Sequence, residues 1–153
     1  MKRYLSLLLI MLFSITVVAQ SHDRGKNRER IKALKTAFIT EKLNLSKSEA
    51  EKFWPIYNEF SEKEAHIKFK EIRGIKIKVK RSFDVISDDE ASKLLDDLII
   101  AEDKLHKLRV NFITDLKTIL PAKKIMLLKA VEDEFNRKML EEFKKRRQYH
   151  DKN

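Results

Sequence analysis

A chain of 153 residues with only two glycines and two prolines has few ways to turn. Sandwiches, barrels and doubly wound sheets need many tight turns, and turns with positive φ draw on Gly or Asn. Gly25 and Gly74 cannot supply them, and they leave no P-loop or GxGxxG phosphate cradle. With 38% charged and 42% apolar residues and so few breakers, the composition points to an all-α fold. Cysteine is absent, which excludes disulfides, cysteine-based zinc fingers, a thiol nucleophile and a lipoprotein cysteine.

The first residues bear on the compartment. Lys2 and Arg3 precede an uncharged stretch, Leu5 to Val18, and Val17-Val18-Ala19 places short side chains where a signal peptidase reads. This is a secretory signal pattern over residues 1–19, with cleavage expected after about Ala19 and a periplasmic destination. A membrane anchor is the competing reading, but the stretch falls short of the ~20 apolar residues that span a bilayer. Cleavage would remove Lys2 and Arg3, taking the formal charge from +10 to +8. In a cytosolic protein such a charge would first suggest nucleic acid. In an exported one it points instead to anionic lipid, polysaccharide or acidic unfolded protein, so no nucleic-acid partner is expected.

Residues 20–28 are polar and contain Gly25, and read as a flexible leader. A single helical domain is expected over 29–143. Ile31, Leu34 and Phe38 recur at helical spacing in a first helix that Leu43-Asn44-Leu45 interrupts. Ser46-Lys47-Ser48-Glu49 is a capping box that should start a second helix, with Phe53, Tyr57, Phe60, Ile67, Ile72, Ile75, Val79 and Phe83 along its apolar face. Pro55 lies inside this run and predicts a kink or a restart beside Trp54. Ile75 to Lys80 alternates like a strand. No partner strand is available, and helical spacing fits as well, so helix is expected. Ser87-Asp88-Asp89-Glu90 is a second capping box. The long helix behind it repeats Ala91, Leu98, Leu105, Phe112 and Ile119 every seven residues, a rod of about 45 Å. A rod that long predicts an elongated or paired molecule. Pro121 opens a last helix carrying Ile125, Leu128, Phe135, Met139 and Phe143, and residues 144–153 form a basic tail expected to fray.

The segment Leu43 to Phe60, LNLSKSEAEKFWPIYNEF, resembles the Spy/CpxP family of periplasmic stress proteins, known for an LTxxQ motif. Leu45, Ser46 and Glu49 stand at the Leu, Thr and Gln positions and keep the capping chemistry. Phe53-Trp54-Pro55-Ile56-Tyr57 matches the Phe-Trp-Pro-x-Tyr stretch of the Bacteroidetes branch labelled sensors of ECF-type sigma factors. At the expected second copy, Leu120-Pro121-Ala122-Lys123-Lys124, the Thr and Gln positions are both changed. The resemblance implies a bent bundle of about four helices with long antiparallel members, often a cradle-shaped homodimer. It also implies binding of unfolded envelope proteins, or of a membrane-anchored sensor or anti-sigma partner, with no ATP, metal or other cofactor required.

The candidate binding surface is Lys68, Phe69, Lys70, Ile72, Arg73, Lys76, Lys78, Lys80 and Arg81, a basic run whose sole acid is Glu71. Such a surface can steer acidic, partly unfolded chains, with Ile75 and Ile77 adding apolar contacts. A solvated helix face is the alternative. Eight acids between Asp84 and Asp103, against Lys93 alone, suggest a helix pair or a dimer registered by charge. His22, His66, His106 and His150 show no i, i+4 spacing, so a metal-responsive sensor, the second functional reading, would need His66 and His106 brought together by folding. The aromatic cluster at Phe53, Trp54, Tyr57 and Phe60 could form a contact site for clients, but such a cluster is more often core and is read so here. No activated nucleophile or acid–base pair is evident, and an enzyme is not expected.

Overall fold

A computed structural model describes residues 16–150, with side chains described from Gly25 to Tyr149. The signal segment, 1–19, lies outside the described residues apart from its last four positions. The fold is all-α, and no strand occurs among the described residues. Five α-helices and one π-helical segment follow in order: α1 (Thr16–Lys42), α2 (Lys47–His66), the π segment (Ile67–Ile72), α3 (Arg73–Ser82), α4 (Asp88–Lys117) and α5 (Ala122–His150). Because α2, the π segment and α3 run on without a break, they form one rod, and the described residues form four.

The segment 20–28, expected to be a flexible leader, is helical within α1. Its one poor helix former is Gly25, which costs about 1 kcal/mol relative to Ala, too little to break a long helix by itself. α1 stops at Asn44, which takes the left-handed φ of 46° that Asn tolerates better than most residues. At the other end of the chain α5 continues to His150, so 144–150 extends that helix instead of standing apart as a tail. α5 begins one residue later than expected: Pro121 caps it, its carbonyl accepting the Ile125 amide at 3.3 Å.

Both capping boxes form. Ser46 Oγ accepts from the Glu49 amide at 3.2 Å while Glu49 Oε2 accepts from the Ser46 amide at 2.7 Å. Ser87 and Glu90 repeat the exchange at the start of α4. Pro55 does not restart the helix, and α2 runs through it. Pro55 and Glu51 are both exposed, so the Glu51 carbonyl, which the proline leaves without its helical donor, lies on the side water can reach. The irregularity in this rod falls instead at Ile67–Ile72. Phe53, Tyr57, Phe60 and Ile67 keep helical spacing, but the next buried residue, Ile72, is five positions on, past the exposed Phe69. In an α-helix that step would turn Ile72 ~140° away from Ile67. The i→i+5 bonding of a π-helix stacks the two positions, and both are buried, against Ala101 and Leu105 of α4. The IKIKVK alternation is helical, within α3.

The single domain expected over 29–143 divides into two compact units, Leu45–Ala130 and a discontinuous one made of residues up to Asn44 and from Val131. In the first, α2, the π segment and α3 pack along α4. Glu64 meets Arg109 while Glu71 meets Lys104, so sequence numbers run in opposite directions and the pair is antiparallel. Its core is aromatic near the cap of α2. Phe53 and Leu116 are fully buried, and the rings of Phe60 and Phe112 stack at 3.9 Å with planes 5° apart. Tyr57 bridges them, 5.3 Å from Phe53 and 6.1 Å from Phe112. Each such ring pair adds ~0.5–1.5 kcal/mol beyond area burial. In the second unit Ile39, Val131 and Phe135 are buried, and Phe38 packs on Phe135 with centroids 5.7 Å apart.

Candidate binding surface

The candidate surface lies on the π segment and α3. α3 buries no residue at all, although it packs along α4. Phe69 is 62% exposed, and Lys70, Arg73, Lys76, Lys78, Lys80 and Arg81 are exposed. Ile72 is not part of this surface. It is 7% exposed and belongs to the core cluster, because the π turn directs it inward. Lys68 is half-buried and tied to Glu64 at 2.9 Å. Among the described residues, Arg73, Lys76, Lys78, Lys80 and Arg81 have no carboxylate within 4 Å, so their charge is directed at solvent.

Charge does link the helices, but in the opposite sense to the one the runs suggested. The carboxylates come from α2 and the π segment and the cations from α4: Glu71 with Lys104 at 3.0 Å, and Glu64 with Arg109 at 3.1 Å. Partial burial acts to raise the Glu64 carboxyl, but hydrogen bonds and attraction from Lys68 and Arg109 outweigh it and hold it below the ordinary glutamate value. A shallow groove of about 290 Å³ lies between the arms, where Lys70, Lys78 and Asp97 face the Glu71–Lys104 pair over Gly74, Ile75 and Ile100. A Cβ placed on Gly74 would meet nothing within 4 Å, so glycine is not required there by packing.

The motif residues Leu45, Ser46 and Glu49 are structural in this unit. Leu45 is buried and Ser46 caps α2. Glu49 also accepts from Lys124 Nζ at 2.7 Å, joining the first turn of α2 to the first turn of α5. The Lys124 hydrogen bond, then the Ser46 amide, hold its carboxyl below the usual range.

Sequence reasoning missed an apolar set near the end of the pair where α3 and α4 connect. Phe83 is 73% exposed, although helical spacing had placed it on the buried face, and Val85, Leu95, Ile99 and Ile100 are also exposed. A signal was present: Leu95, Ile99 and Ile100 fall outside the seven-residue repeat of α4, marking a second apolar face. No group of three or more His, Asp or Glu side chains among the described residues could hold a metal ion. His66 lies instead beside Glu71, Nδ1 to Oε1 at 3.5 Å. No described helix is long and apolar enough to cross a membrane.

No family model, curated protein or solved structure matches the chain.

Proposed function

We propose that this protein is an exported, Spy/CpxP-like accessory protein of the bacterial envelope, periplasmic after cleavage near Ala19. It acts by binding, not catalysis, and engages non-native or signalling proteins without ATP. One observation carries the reading: five exposed cations of α3 (Arg73, Lys76, Lys78, Lys80 and Arg81), unpaired among the described residues, surround the exposed Ile77 and are flanked by the exposed Phe69 and Phe83. Unpaired charge attracts an acidic chain over roughly a Debye length, ~10 Å at 0.1 M salt. Apolar side chains already in water then hold the exposed core segments of that chain at no further unfolding cost. The assembly is proposed to be a homodimer, with a membrane-anchored sensor or anti-sigma factor as the signalling partner.

The test is suppression of aggregation of a chemically denatured acidic client. Near-equimolar protein should suppress it at low salt and less at 0.5 M salt. Replacing Arg73, Lys76, Lys78 and Lys80 together by Gln should abolish the effect with helicity retained. Absence of suppression at low salt refutes the proposal.

A further inference from the structure

The discontinuous unit contains an open cleft of about 440 Å³ between α1 and α5 that the proposed function does not use. Its position follows from a burial gradient. Around Ile39, Val131 and Phe135 the two helices close on each other and exclude water. One to two turns further along, the same seam still presents apolar side chains but no longer buries them. Leu34 and Phe143 are each 46% exposed, and Ile31 and Met139 are half-buried. These four form an apolar lining one turn long on each helix, Ile31 and Leu34 at i, i+3 spacing and Met139 and Phe143 at i, i+4.

Three guanidiniums, Arg28, Arg30 and Arg146, line the same cleft, and among the described residues none has a carboxylate within 4 Å. The one acid there, Glu142, is already held by Lys145 at 3.4 Å. The cleft therefore pairs apolar walls with an uncompensated positive edge. Guanidinium matches the planar, two-oxygen geometry of a carboxylate or phosphate. The volume lies within the ~300–1,000 Å³ range of small-ligand sites. Nine residues line it, far short of the ~20–30 a side of a standard protein interface, so a small ligand fits better than a docked protein.

We infer that this cleft binds a single-chain anionic amphiphile, its aliphatic chain along Ile31, Leu34, Met139 and Phe143 and its anionic head on Arg28, Arg30 and Arg146. Met139 suits the role, since an unbranched thioether adapts to chains of differing length.

The probe is dodecanoate, titrated calorimetrically into the full chain below its micellar concentration, with dodecanol as the uncharged control. Saturable one-to-one binding of dodecanoate is expected, at least tenfold tighter than dodecanol. The Arg28→Gln, Arg146→Gln double variant should weaken dodecanoate at least tenfold and leave dodecanol unchanged. Leu34→Trp, which fills an exposed position of the cleft, should abolish both. Retained helicity by circular dichroism separates these effects from misfolding. Equal binding of the two probes, or variants that bind like the parent, overturns the inference. So does binding confined to phosphatidylglycerol vesicles, which would make this a membrane-surface contact.

Discussion

Deleting Phe69 tests the explanation given for the π segment. The extra residue in this turn exists, by that account, because Ile67 and Ile72 lie five positions apart and must both face α4. Removing Phe69, whose side chain is mostly in water, leaves them four apart. In a regular α-helix that separation rotates the second residue only ~40° from the first. The seam is then satisfied without i→i+5 bonding, and Glu71 stays next to Ile72, so its pairing with Lys104 can persist. Stability should change by no more than about 1 kcal/mol in either direction. The control is deletion of Glu62, an exposed residue in the regular part of the same rod. That deletion rotates everything beyond it by ~100° and takes Ile67 and Ile72 off the seam. At ~1.5–3 kcal/mol for each buried aliphatic side chain, the loss should be about 3–6 kcal/mol. Urea titration followed by circular dichroism at 222 nm measures both, the slope checking that the same surface unfolds. Comparable destabilisation by the two deletions would refute the argument. The π turn would then be fixed by something other than the five-residue gap.

Leu116 is fully buried, and Leu116→Ala should cost ~2–5 kcal/mol in the same titration. Val110→Ala on the same helix, 47% exposed, should stay within ~0.5 kcal/mol. Glu64 has its pKa depressed by Lys68 and Arg109 in the folded state, so its stabilising contribution is present above its unfolded value and fades as pH falls below about 4.3. Glu64→Gln should therefore flatten the acid limb of the stability–pH curve, and a limb as steep as the parent's would count against the pairing.

What the sequence disclosed and what it hid divide by range. Both capping boxes could be read because Ser46 with Glu49, and Ser87 with Glu90, are complete within four residues. The all-helical class followed from missing breakers, and the helicity of IKIKVK from the lack of any partner strand. Ile72 read two ways, as part of the apolar face and, among Lys70, Arg73 and Lys76, as part of a basic surface; the π turn, which no local pattern shows, directs it inward. Counting charges also misled. Net runs average over all faces of a helix, whereas Lys104 and Arg109 meet Glu71 and Glu64 because those particular side chains face each other. Pro55 looked like a break because sequence shows the lost donor but not which way the orphaned carbonyl points.

The division of the chain into one contiguous and one discontinuous unit has a consequence for the order of synthesis. Residues 45–130 leave the ribosome as a complete set and can associate while the rest of the chain is still being made. Among the described helices α1 appears first but must wait longest. The aromatic partner of Phe38 is Phe135, on the far side of the whole contiguous unit. Until then the apolar stripe of α1 has no intramolecular cover. Of the described helices, the first made is among the last to be buried, and during biogenesis it is the one most in need of protection.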